Sequence, residues 1–418
     1  MLLECLVDFN LDERISTVTV DNCTTNDGVI ENMLQKLDPT TLILDGRFLH
    51  MRCCAHILNL IVRDGLDIIA HAIEKVRDAV GFWTNTPKRF EKFEDACRYY
   101  KIGGGKKLQL DCKTRWNSTY EMLETAIMYK DAFTRLKKNS KGKVEKFALP
   151  TPQEWQMAKE ICDRLALFSR TTETFSGRYY PTANLYFQKV CEIRLALRKW
   201  LCCGNNVIES MVRNMIEKFD KYWNVINGMM AVASVLDPRR KLECVSFYFH
   251  LIYGDSYEFE CERIKELLFE LVDYYKSKVH STHVSPSKDM ESNVSYGKRP
   301  LDEIDDYENL WDKHVLEIPR KTPSRSEVET YLEEDRIVLD EQKSGLLAWW
   351  SANSGKYPIL SKIARDILAV PISTVPSESA FSKGGKLISE YRSRLHPSTV
   401  ETMMCLQSWR FMIFQGKL

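Results

Sequence analysis

The sequence predicts an α/β protein in which helix dominates, and three observations carry that reading. A β-branched, alternating run opens the chain. A long stretch reaching to about residue 280 then repeats apolar positions at helical spacing. A short mixed unit follows near the C-terminus.

In order, Ile15 to Val20 (Ile-Ser-Thr-Val-Thr-Val) reads as a strand, with Asp21 directly at its end. Asn22 to Asp27 is polar turn material, and a helix is expected from near Gly28. A second apolar piece, Leu42-Ile43-Leu44, precedes the turn Asp45-Gly46. From Cys53 the pattern turns helical, with Ile57, Leu58, Ile61 and Val62 on one face. Gly103 to Gly105 and Asn139 to Gly142 are breaks. Helices are expected over Glu154 to Phe175, with Trp155, Ala158, Ile161, Leu165 and Phe168 inward. Two more are expected over Met211 to Trp223 and Cys261 to Tyr275. Residues 281–300 lack periodicity and are rich in Ser, Lys and Asn, and Asp302 to Asp306 is acidic. Ser326 with Glu329 has the spacing of a capping box. The helix from Pro358 to Val370 should bury Ile359, Leu360, Ile363, Ile367 and Leu368. The last helix starts near Pro397 and carries Val400, Met403, Met404 and Trp409.

With 418 residues, two or three domains, or one domain with a large insertion, are expected, and 44% hydrophobic with 28% charged residues is ordinary for a globular protein. The net charge of +1 supplies no global attraction for nucleic acid, so any such surface is a local patch. No apolar run is long enough to span a membrane, and no signal peptide is expected. Thirteen scattered cysteines with no Cys-x-x-Cys point to a reducing compartment and argue against a two-plus-two zinc finger.

Four places have residues suited to chemistry. Asp21 can hold a metal from its strand end, or accept hydrogen bonds from the Asn22–Asn26 turn. Cys53 and His56 form a Cys-x-x-His pair, which reads as core packing more readily than as half a zinc site, with Cys54 competing for the role. In Asp111-Cys112-Lys113-Thr114-Arg115-Trp116-Asn117-Ser118, an exposed Trp beside an Arg would stack on an unpaired base, and a buried Trp would anchor the helix that follows. Glu378, at a helix start, complements the helix dipole or serves as a metal carboxylate. Two basic clusters, one around Arg135, Lys137 and Lys138 and one at Arg239, Arg240 and Lys241, suit phosphates or simply face water.

The strongest signal is an ordered C-terminal run. It comprises Leu346 to Trp350, Tyr357 to Leu360, Ala364 to Val370, Val375 to Ser382 and Tyr391 to Leu395. It resembles the C-terminal dimerisation region of hAT-superfamily DNA transposases and of the BED zinc finger proteins derived from them. Further segments resemble that family in the same order: Thr19 to Asn22, Arg52 to Leu60, Thr114 to Ser118 and Leu236 to Lys241.

The resemblance implies a ribonuclease H-like core interrupted by a large all-helical insertion. It divides the chain into a partial core (1–70), the insertion (71–280), a flexible linker (281–325) and the dimerisation region completing the core (326–412). Asp21 and Glu378 fall on two of the family's catalytic carboxylates, which together with a third hold two divalent metals. The third belongs to a strand upstream of Asp21, and neither Asp8 nor Asp12 is a substitute. The resemblance therefore implies an N-terminally truncated chain with a vestigial site and no cofactor, or Mg²⁺ if the two-carboxylate remnant binds a metal. It implies DNA binding through Arg115, Trp116, Lys137, Lys138 and Arg239. Dimerisation would use Trp349, Trp350, Ile359, Leu360, Ile367 and Leu368, with itself or with a related protein. Cys53 and His56 are a structural pair. A non-catalytic nuclear protein is the expectation. An active transposase whose finger and first aspartate are missing from this chain is the alternative.

Overall fold

A computed structural model describes residues 2–102, 105–139, 148–223, 227–282, 326–337, 345–388 and 394–414. Most of the segment expected as a linker therefore lies outside the described residues, as do the Asn139–Gly142 break beyond Asn139 and Tyr391 to Ser393. The side chain of Lys138 is likewise not described.

The chain opens with α1 (Leu2–Asp8), β1 (Val18–Val20), α2 (Thr24–Lys36) and β2 (His50–Arg52). β1 and β2 pair in parallel, with Val18 opposite His50 and Val20 opposite Arg52. A parallel pair needs a crossover, and α2 supplies it. Ile30, Met33, Leu37, Leu42 and Leu49 form a small core under this unit, with Ile15, Val18 and Val20 packed on it. The Leu42-Ile43-Leu44 piece is not extended. Leu44 and Asp45 take left-handed backbone angles (φ 47° and 56°) before Gly46 (φ 84°), so the chain turns where a strand would continue. Gly46 suits this turn because φ 84° is a conformation that L side chains rarely adopt.

The helical block runs α3 (Cys54–Leu66), α4 (Ala70–Thr84), α5 (Pro87–Tyr99), α6 (Trp116–Met128), α7 (Lys130–Asn139), α8 (Pro152–Phe175), α9 (Ala183–Trp200), α10 (Asn206–Trp223), α11 (Gly228–Val235), α12 (Lys241–Tyr253) and α13 (Tyr257–Thr282). The predicted inner face of α8 is buried, and a Thr151–Glu154 capping box with Pro152 behind it starts the helix. Cys54, Ile57, Leu58, Ile61 and Val62 of α3 are buried as their spacing predicts. α3 packs tightly on α10, since a Cβ on Gly65 would come within 2.8 Å of Met215 Sδ. α11 is buried from Met229 to Val235, the signature of a helix surrounded on all sides.

The C-terminal part contains α14 (Glu327–Glu333), α15 (Leu346–Ala352), α16 (Leu360–Leu368), α17 (Val375–Leu387) and α18 (Pro397–Phe414). The Ser326–Glu329 capping box forms as expected. The Glu327 carboxylate accepts from the amides of Ile359 and Leu360 at 3.0 Å, capping α16 from a separate helix. Tyr331 Oη donates to Val235 O (2.9 Å), and Trp350 Nε1 donates to Leu236 O (2.8 Å). Lys241 Nζ reaches Tyr331 O at 2.7 Å from a buried position. Tyr275 Oη meets Asp366 at 2.8 Å. These bonds fix α14 to α16 against α11 to α13 as part of one core. No helix among the described residues is long and apolar enough to cross a membrane.

Candidate functional site

Asp21 leaves the end of β1, exposed, and accepts a hydrogen bond from Asn26 Nδ2. Beside it, Asn22 Oδ1 and Nδ2 are buried with no hydrogen-bond partner. Val20 O, immediately before Asp21, accepts from the Cys53 amide at 2.7 Å. The far end of the chain meets this edge. Thr19 Oγ1 donates to Pro371 O (2.5 Å), and the Cys54 amide donates to Ile372 O (2.9 Å). Thr374 follows, its amide donating to Cys53 Sγ at 3.3 Å, with its hydroxyl 3.2 Å from the same sulfur. That hydroxyl also donates to Glu378 Oε1 at 2.7 Å, one turn into α17. Asp21 and Glu378 are thus joined through Val20, Cys53 and Thr374.

A hydroxyl has one proton. When Glu378 is ionised the proton goes to the carboxylate, and the Cys53 S–H is left to donate toward the Thr374 oxygen. Cys53 is buried and spends its sulfur on Thr374, while His56 is half-buried on α3. Complete burial pushes the neighbouring Cys54 thiol well up, so it is an inert core group. Thr374 is a site residue the sequence reading passes over. Its one available signal is its position four residues before Glu378, where a helix entry places it on the same face.

Asp21 and Glu378 are hard oxygen donors that suit Mg²⁺, and the unpartnered Asn22 amide beside Asp21 is a further polar group at that edge. A metal held there would supply a Lewis acid. Among the described residues no group of three or more His, Cys, Asp or Glu is placed to hold one.

The nucleic-acid candidates separate sharply. Arg115 is exposed at the entry to α6. Trp116 is not available for base stacking. It is 3% exposed, begins α6 and packs 6.2 Å from the Tyr120 ring. The preceding turn is clamped by Asp111, whose side chain takes Arg77 Nε and Nη2 at 2.7 and 2.6 Å and Thr119 Oγ1 at 2.7 Å. Lys137 is half-buried. Arg239 turns its guanidinium onto buried Asp237, at 2.8 and 2.7 Å, and Asn184 Nδ2 donates to the same carboxylate at 2.8 Å. The Leu236–Lys241 motif is therefore a structural knot: Lys241, with φ 50°, ties it to α14.

Of the expected dimerisation set, Trp350, Leu360, Ile367 and Leu368 lie in the protomer's own core, and Trp349 and Ile359 are half-buried against it. Their apolar spacing identifies a buried face, and here the buried face is internal. Among the described residues of this region the exposed large apolar side chains are Leu347 on α15, Phe381 (78%) on α17, Ile388 at its end, and Leu406 and Trp409 (57%) on α18.

Three family models match the chain. One described as the ZBED1 RNase-like helical domain covers residues 51–164. One described as hAT-like transposase, RNase-H fold, covers 184–275, on α9 to α13. The third, the hAT family C-terminal dimerisation region, covers 327–410. The chain is built from hAT transposase-family domains. It is 35% identical over 407 residues to the putative AC transposase of Zea mays, covering 97% of this chain and 49% of that protein. The BED zinc finger protein RICESLEEPER 2 of Oryza sativa subsp. japonica is 32% identical over 414 residues (97% and 57%). DAYSLEEPER of Arabidopsis thaliana is 27% identical over 405 residues (97% and 56%). The chain thus spans about half the length of the curated relatives it matches.

Proposed function

We propose that these residues form a DNA-binding, self-pairing hAT module that works in the nucleus and does not itself cut DNA strands. The observation carrying this reading is the state of the two family carboxylates. Each is met by a donor from its own neighbourhood, Asn26 for Asp21 and Thr374 for Glu378. Two carboxylates alone are a weak hold on a pair of hydrated cations, because Mg²⁺ sheds water reluctantly. Exposed Arg115 supplies a phosphate contact, and the apolar side chains of α17 and α18 supply a surface for a second copy or a related hAT protein.

The test is direct. The purified chain is mixed with supercoiled plasmid and labelled duplex, with Mg²⁺ or Mn²⁺. Retardation of the duplex without nicking is expected. Nicking that disappears in both Asp21→Asn and Glu378→Gln would support a catalytic reading instead. That alternative draws on one observation: Cys53 and Thr374 still bring the Asp21 and Glu378 elements to one edge.

A further inference from the structure

The turn between α8 and α9 is docked onto the segment that carries Glu378. Ser373 Oγ donates to Phe175 O at 2.7 Å, and Arg178 Nη2 donates to Ser379 Oγ. Directly after these anchors the chain presents Tyr179, Tyr180 and Pro181 to a cleft of about 600 Å³ that Pro376 and Lys383 of α17 also line. Both tyrosines are half-exposed, 48% and 50%. Tyr180 is not loose: its ring lies against Gly177, where a Cβ would clash with it, and its hydroxyl donates to Thr174 O at 3.2 Å. Two cations, Arg178 and Lys383, line the same cleft, and Arg178 bonds a neutral hydroxyl rather than a carboxylate.

An anchored Tyr180 ring and an exposed Tyr179 beside cations, in an open cleft, match an unpaired nucleotide. The base finds a π-face and the phosphate finds a positive charge. With Trp116 buried, these tyrosines are an exposed aromatic surface tied, through the Arg178–Ser379 bond, to the residue after Glu378. We infer that Tyr179 and Tyr180 form a stacking platform for single-stranded DNA, with Arg178 and Lys383 on its phosphates. The inference rests on the DNA-binding reading above and deepens it, by placing an unpaired strand against α17.

The test measures anisotropy of a labelled short oligothymidine and of a labelled duplex, each titrated with the full chain. Tyr179→Ala with Tyr180→Ala should weaken single-strand binding about tenfold or more while duplex binding changes by less than about twofold. The Phe counterparts, which keep the rings, should bind the single strand like the parent. Thermal melting of each variant checks that it folds. Equal single-strand affinity in the parent and the Ala variant would overturn the platform and leave the DNA-binding reading standing. So would an equal fall for both DNAs. A change of sedimentation state in the Ala variant, without loss of single-strand binding, would show that the cleft receives a second copy, and would also overturn it. No binding of either DNA by the parent chain would sink both readings.

Discussion

Cys53 and Thr374, 321 positions apart in sequence, meet through the Cys53 sulfur, which lies 3.3 Å from the Thr374 amide and 3.2 Å from its hydroxyl. This contact closes the edge at which β1 presents Asp21 and α17 presents Glu378. Thiols are weak acceptors, so the bond matters more for position than for energy. Cys53→Ala and Thr374→Val should each lower stability by about 0.5–2 kcal/mol. The double variant should show a coupling of about 0.5 kcal/mol or more in a urea-unfolding cycle. A coupling of zero would mean that the two residues are merely neighbours.

Asp237 should give the fold an acid-sensitive step. Burial alone would raise its carboxyl, but hydrogen bonds from Arg239 and Asn184 and the Arg239 charge overcome this and hold it below the usual carboxylate range. A carboxyl depressed in the folded state contributes stability above its unfolded pKa of about 3.9, and that contribution is lost as pH falls through the folded value. Stability should therefore fall below about pH 4. Asp237→Asn should cost about 2–4 kcal/mol at neutral pH and flatten that decline, read from urea midpoints across pH. An unchanged acid limb would assign the decline to other carboxylates.

Helix positions and inner faces are legible in the sequence because amphipathic spacing reports burial directly, as α3, α8 and α16 show. What burial faces is not legible. Trp350, Leu360 and Ile367 have the spacing of an interface but are buried in the core of the same chain, Trp350 against Tyr331 and Leu236. Arg239 reads as a phosphate ligand, yet it answers a buried Asp237 two residues away. The second strand, His50–Arg52, escapes notice because three residues bear no alternation to detect, and Leu42–Leu44 draws attention instead. Asp21 and Glu378 are legible through motif order, while the link between them depends on tertiary contacts of Thr374 that no local pattern encodes.

The same distinction separates two kinds of tryptophan in the dimerisation region. Trp350→Ala removes a buried ring and its bond to Leu236 O, so it should cost the protomer about 3–5 kcal/mol in folding stability. Phe381→Ser with Trp409→Ser removes exposed apolar surface and should change folding stability by less than about 1 kcal/mol. It should instead weaken self-association by tenfold or more, at about 1.4 kcal/mol per decade, in sedimentation velocity over a concentration series. Dissociation caused by Trp350→Ala at unchanged stability would reverse this assignment.

Arg115 and Trp116 are adjacent, yet they should fail in opposite ways. Trp116 is held in the core by the α6 entry, and the Asp111–Arg77 clamp fixes the turn before it. Trp116→Ala should lower the unfolding free energy by about 3–5 kcal/mol, and at low temperature the folded fraction should bind duplex DNA with near-parental affinity. Arg115 is exposed at a helix entry. Arg115→Ala should leave the melting curve in place and weaken duplex binding similarly for unrelated sequences. The slope of log affinity against log salt should shrink by about one, as expected for one lost phosphate contact. A Trp116→Ala protein that melts normally but no longer binds single strands would restore the ring to a stacking role. That result would require the Asp111 clamp to open when DNA arrives.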